Sequence, residues 1–402
     1  MAAIPIVLFA AALGLAISDY AAGAWVSFGV GALSLLWELR ATLDEVFGST
    51  PALIEQDERF QQELIAKLHP SGEEVRNGFE ILGMPQRINE SVVRSSRVDA
   101  WFRGHDVHDQ VDDGKRIAVE ESLREHAEPL EKMLRCRSRE SYRSDPPRVF
   151  LNESKLGLSS GIALDRPIVG VHRVGYYHSV LTNEASARCL VSDGGEQAIV
   201  FSGSELFPLT RIDDRWQLRT LADSCMADHV GVSTLVVTRD RKLAVWKQAG
   251  TAQHSRKLLA PTGSGSCDWK DRESADLKET LVRAMEREFV EESFGGQSPV
   301  FDKQTRPLGY FRWVRRGGKP EFVGVTWADL DAAKLKPNVT EVNRNRHETQ
   351  AYDVPDMASL CARLEILVGK EDVSVPLWIN ALALLEAISE DRAGWAKFLR
   401  LE

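Results

Sequence analysis

Long apolar runs are missing from residue 40 onward, which rules out a polytopic transporter. Basic excess is missing too: 50 Lys plus Arg stand against 59 Asp plus Glu, for a net charge of −9. Non-specific binding to a nucleic-acid polymer is driven by many cations displacing counterions, so that function class is excluded. Cysteines are few and scattered. The five (Cys136, Cys189, Cys225, Cys267, Cys361) show neither a paired metal spacing nor a disulfide framework. No internal repeat or long low-complexity tract is present. Forty-three per cent apolar and 27 per cent charged residues are globular values, so the chain is neither disordered nor fibrous.

The N-terminus departs from this average. Residues 1–18 and 20–37 carry no charged side chain, and Asp19 separates them. A spanning helix needs about 20 apolar residues, with about 17 as a working minimum, so both runs are long enough. Ser18-Asp19-Tyr20 suits a tight polar turn, and small residues recur every four positions, at Ala10, Gly14 and Ser18 and at Gly23, Ser27 and Gly31. That spacing lets helix backbones approach closely in lipid. An export signal is disfavoured because no Lys or Arg precedes the first run. The alternative is a buried hairpin within a soluble core. Arg40, the nearest cation, follows the second run, which with both ends inside leaves the rest cytoplasmic.

Beyond the hairpin, residues 40–145 read as a helical connector. Leu53, Ile54, Phe60, Leu64, Ile65 and Leu68 form one stripe over 51–69. Ser71 followed by Glu74 has capping-box spacing, and a charged helix is expected over 116–136. The polar, double-proline stretch 137–148 marks a boundary. His105, Asp106, His108 and Asp109 carry no further ligands at metal spacing and read as a solvated loop. Residues 146–229 read as a β-rich part of a head, 230–350 as its central domain, and 351–402 as C-terminal helices. Ser233–Thr238 and Leu243–Lys247 form one expected hairpin. Tyr310–Val314 and Phe322–Trp327, around Gly317-Gly318, form another.

Between these hairpins Leu277, Leu281, Met285 and Phe289 recur every four residues, the core stripe of a helix over 277–293. Glu288, Glu291 and Glu292 share one face of it. Three such carboxylates repel one another unless a cation sits among them, and Mg²⁺ is held in this manner while substrate phosphates complete its shell. Glu279, Arg283 and Arg287 are spaced to form an ion-pair ladder in support.

Glu279, seven residues, then Arg287-Glu288-Phe289-Val290-Glu291-Glu292 resembles the box of the Nudix superfamily. The departures are Glu273 at the first box glycine and Phe294 at the last, with Gly295-Gly296 one step late. The resemblance covers roughly residues 230–345 and implies an α/β/α sandwich. It also implies Mg²⁺ on Glu288, Glu291 and Glu292, and water attacking a nucleoside diphosphate derivative; a general base outside the box is not placed by the sequence, with Glu321, Glu341 and Glu348 all open. The displaced glycines put that geometry in doubt and favour a ligand sensor. The union of an apolar hairpin with such a head is similar to the transmembrane-Nudix effectors of CBASS, bacterial antiphage systems that signal with cyclic oligonucleotides. The stretches 172–184 (HRVGYYHSVLTNE) and 263–271 (GSGSCDWKD) share in that likeness. It implies a membrane-anchored α+β protein of the cell inner membrane, with its head in the cytoplasm. Cyclic-nucleotide binding would drive homo-oligomers to disrupt the bilayer, causing abortive cell death. Gly263, Ser264 and Gly265 with Arg173, Tyr176, Tyr177, Arg312, Arg315 and Arg316 are the candidate ligand contacts: backbone and Arg for phosphates, aromatics for bases. A membrane-tethered, Mg²⁺-dependent Nudix hydrolase is the alternative. Each candidate also has a plainer role, Arg315 and Arg316 at a solvated hairpin tip, Tyr176 and Tyr177 astride a strand.

Overall fold

The computed structural model describes residues 52–55, 58–115, 154–192, 199–248, 258–294, 297, 299–337 and 350–402. By its internal contacts the chain divides into two units. One, residues 1–52 with 190–200, falls almost wholly outside the described residues. The other, residues 53–189 with 201–402, holds the large sheet and the helices that pack on it.

Its centre is a nine-stranded sheet. The strands are β1 (Glu80–Met84), β2 (Arg87–Arg94), β5 (Gly231–Thr238), β6 (Lys242–Lys247), β7 (Leu259–Ala260), β8 (Gly263–Ser266), β9 (Lys303–Trp313), β10 (Lys319–Ala328) and β11 (Gln350–Asp353). They run β7-β6-β5-β10-β9-β2-β1, with β8 paired to β5 and β11 to β6. The β5–β10 pair is parallel, and Gly231 lies opposite Glu321. All eight residues of β5 and all ten of β10 are buried. Central strands covered on both faces read as near-continuous apolar runs for this reason. A smaller sheet contributes β3 (Ser154–Leu158) and β4 (Ile168–Gly175), antiparallel to each other.

Helix α1 (Leu277–Ser293) packs one face of the large sheet. Leu277, Leu281, Met285 and Phe289 are fully buried, and the Asp276 side chain caps the helix by accepting from the Glu279 amide. The other face carries α2 (Met357–Val368), α3 (Val375–Glu390) and α4 (Arg392–Leu399). Fully buried Asn380 pins α3 to the strands: its Nδ2 donates to Ser233 Oγ (2.7 Å), and its Oδ1 accepts from the Gly324 amide (3.1 Å). Helices therefore cover both faces of the large sheet. Gly317 and Gly318 turn β9 into β10 with φ of 60° and 70°, a left-handed pair that glycine adopts without strain.

The membrane-anchored fold class and inner-membrane placement are corrected. Among the described residues no helix is long and apolar enough to cross a membrane. The 17-residue α1 carries charges on successive turns, and α3 has 16 residues, short of the roughly 20 a span needs. Residues 1–39, on which the spanning hairpin was read, lie outside the described residues. The described fold is mixed α/β, and the bilayer plays no further part in its interpretation.

The connector reading is corrected where it is described. Residues 80–94 form the β1–β2 hairpin on the edge of the large sheet, with Phe311 opposite Arg94. Helix is confined there to Glu58–Lys67, Gly72–Arg76 and Ser96–Gly104, while 52–55 is a strand. The Ser71–Glu74 capping box forms as read. The segments 116–136 and 137–148 lie outside the described residues.

Candidate functional site

The acidic face of α1 meets the β8 strand. Glu292 is buried and accepts from the Ser264 amide (3.0 Å) and, more weakly, from Ser264 Oγ (3.3 Å). Glu288 is buried beneath Gly265. A Cβ on that glycine would sit 2.2 Å from its carboxylate, so the loop approaches this closely only without a side chain. Burial, partly offset by Arg287, pushes the Glu288 carboxyl up to about 7. Glu291 points outward, its side chain 53% exposed.

Arg287 is the hub. Its Nη1 donates to Glu288 Oε1 (2.8 Å) and Glu291 Oε2 (3.1 Å). Its Nη2 donates to Asp271 Oδ2 (2.9 Å) and the Ser266 carbonyl (2.8 Å), and Nε reaches Asp271 Oδ1 at 3.1 Å. The bidentate grip on Asp271 is a geometry only a guanidinium provides, and it holds the loop against the helix. The Glu279–Arg283 rung of the expected ladder forms at 3.6 Å, but Arg287 turns away from it. Glu279 instead accepts from Ser274 Oγ (3.0 Å) and is 59% exposed.

The donor chemistry of three carboxylates suits a hard cation; their arrangement does not. Arg287 Nη1 stands between Glu288 and Glu291, and Glu292 is held by Ser264. Among the described residues no group of three His, Cys, Asp or Glu is placed to hold a metal ion.

Four residues of the site carried no signal in the box pattern. Lys155 on β3 ion-pairs with Asp268 (2.6 Å) and lies 5.8 Å from the centroid of the Tyr176 ring. Asp268 caps the Trp269–Asp271 turn that delivers Asp271 to Arg287. Buried His229 bonds Ser179 Oγ through Nδ1 and faces Ser266 Oγ at 3.3 Å through Nε2. Its ring meets that of Tyr176 edge-on, 5.8 Å between centroids. The 263–271 stretch, with its paired aspartates, is the one signal that could have suggested Asp268 and Asp271. Lys155 and His229 are brought in by tertiary contact alone.

Of the expected ligand residues, Gly263, Ser264 and Gly265 lie on β8, and Tyr176 is linked to the end of that strand through His229 and Ser266. The Tyr177 side chain lies outside the described residues. Arg173 stands opposite Leu156, out of phase with Lys155, so strand alternation sends it to the other face, where its Nε donates to Ser154 Oγ (2.5 Å). The three arginines of β9 and its turn are also elsewhere. Arg312 is buried, donating to the Gly318 and Arg219 carbonyls and to Glu74 (3.2 Å). Arg315 approaches Glu90 at 3.5 Å. Arg316 pairs with Glu184 and Glu321 and lies over Trp313 at 5.2 Å. The solvated-tip reading fails as well, because long-range carboxylates draw these cations inward. Glu321, a candidate general base, is buried beneath Lys319 and Arg316; Glu341 and Glu348 lie outside the described residues.

No protein-family model matches the chain, and no match is found among curated proteins. Solved structures give weak, partial likenesses at 14% identity. DR0079 from Deinococcus radiodurans is matched over 38% of this chain and 81% of its own, with a TM-score of 0.26. The MutT protein of Methanosarcina mazei Go1 is matched over 40% and 95%, at 0.27, and Tm1382, assigned as a Nudix hydrolase, over 40% and 71%, at 0.25. Scores this low carry no argument of their own, so the Nudix-like reading of this chain rests on α1 and its loop.

Proposed function

We propose that this head is a nucleotide receptor that binds a cyclic oligonucleotide messenger without hydrolysing it, as an effector in a CBASS-type antiphage system. The observation that supports it most is the meeting of the two family-like stretches. His229 joins Ser179, from 172–184, to Ser266, from 263–271, with the Tyr176 ring at their junction. An aromatic face beside the glycine-rich strand suits a base, as in single-strand nucleotide readers. Internal pairing of the acid face by Arg287 reduces the repulsion a phosphodiester would otherwise meet there. Self-assembly on ligand binding is part of the same proposal. Calorimetry of the full chain against cyclic di- and trinucleotides tests it: binding by the wild type, weakened about tenfold or more in Tyr176→Ala by loss of one stacked base, is expected. Absence of binding across the panel refutes it.

One observation favours a second reading. A carboxyl raised to about 7, as Glu288 is, suits a general base in a Nudix-type hydrolase. Mg²⁺-dependent phosphate release abolished by Glu291→Gln with Glu292→Gln supports that reading; no turnover across nucleoside diphosphate derivatives sinks it.

A further inference from the structure

We propose that Lys155, acting with Arg287, closes the acidic box to divalent cations, so that the chain's own cations, and not a metal ion, offset part of its charge. The inference goes beyond the nucleotide reading and stands or falls separately from it. Five carboxylates surround the α1–loop junction: Asp268, Asp271, Glu288, Glu291 and Glu292. Carboxylates are the usual protein ligands of hard divalent cations. Here Arg287 contacts Asp271, Glu288 and Glu291 directly and approaches Asp268 at 3.8 Å. Lys155 supplies the second buried cation, its side chain 8% exposed and 2.6 Å from Asp268.

Lys155 is placed by backbone on either side. The Leu156 amide donates to the Cys267 carbonyl (3.0 Å) and the Leu156 carbonyl accepts from the Val230 amide (2.8 Å). Strand β3 is thereby wedged between the exit of β8 and the entry of β5. The ammonium is also close enough to Glu288 to act on it electrostatically. β3 lies well upstream of residues 230–345, so a segment outside the Nudix-like part supplies this charge. A divalent ion entering the box has to displace Arg287 from two carboxylates and sit near a fixed ammonium in a poorly solvated place, where like charges repel most strongly.

The test titrates Mn²⁺ into metal-stripped full-length chain, followed by electron paramagnetic resonance of free Mn²⁺ and by calorimetry. Wild type and Lys155→Arg are expected to show no saturable binding into the millimolar range. Lys155→Met, with Lys155→Gln as a second uncharged variant, is expected to bind one Mn²⁺ about tenfold or more tighter than wild type, the size of removing one nearby like charge. Adding Glu291→Gln should abolish that gain. Saturable Mn²⁺ binding by the wild type that Glu291→Gln removes overturns the proposal, and needs no folded Lys155 variant to be seen. So does a folded Lys155→Met or Lys155→Gln that binds no better than wild type, or a gain that survives Glu291→Gln.

Discussion

Replacing Glu288 by glutamine makes a pH-dependent difference whose size follows from its burial. In the folded chain its carboxyl rises from the ordinary 4.5 to about 7, because desolvation and the Glu291 charge outweigh the attraction of Arg287. A raised folded pKa favours the neutral form. The associated stability is fully present below pH 4.5 and is lost as pH climbs through about 7. At about 1.4 kcal/mol for each pKa unit, that difference amounts to about 3 kcal/mol. Glutamine neither titrates nor needs a counter-charge, so Glu288→Gln should gain about 3 kcal/mol relative to wild type between pH 4.5 and 8. Weakening of the 2.8 Å bond from Arg287, which an uncharged amide oxygen accepts less strongly, lowers the variant by about 1 kcal/mol, so the slope with pH, and not the level, is diagnostic. Urea unfolding of both proteins at a series of pH values measures it. A flat difference would refute the balance claimed for the site. An opposite slope would mean that the ion pair with Arg287 dominates.

Two further predictions concern how the site and the large sheet are held. Gly263→Ala puts a Cβ 2.6 Å from the Phe289 amide nitrogen and Cα, so β8 or α1 has to shift, at about 1–3 kcal/mol; an unchanged urea midpoint would contradict that contact. Arg94→Met removes a buried guanidinium 2.7 Å from Asp99 and 2.6 Å from Glu386, leaving Asp99 uncompensated at about 3–5 kcal/mol. Asp99 is already lifted to about 6 by burial, and loss of Arg94 raises it further. The damage should therefore be smaller at pH 5, where the protonated acid needs no partner, than at pH 8; equal losses would count against the pairing.

Local pattern carried much of the architecture. The fourfold stripe and Asp276 cap place α1 where the periodicity puts it, and β5–β6 and β9–β10 form the expected hairpins. The C-terminal helices lie over 357–368 and 375–399 but break at Asp391, whose side chain caps α4. The β1–β2 hairpin was legible in principle: Gly83 and Pro85 punctuate it, and Val92 and Val93 are β-formers. The helical-connector reading of 40–145, carried past the Ser71–Glu74 capping box, overlooks those signals. Membrane reading came from composition at residues 1–37, and the described helices give it no support.

What the sequence determined by itself was the content of α1: which carboxylates share a face, and that Arg287 lies among them. Periodicity along one chain segment suffices, because neighbours three and four residues apart are fixed by helix geometry. Only the tertiary structure decided what those carboxylates contact. Arg312 finds Glu74 across 238 positions, and Lys155 finds Asp268 across 113, and nothing in local spacing announces either pairing. A buried charge takes whichever opposite charge the fold brings within reach, so the partners of a site are a property of the packed chain.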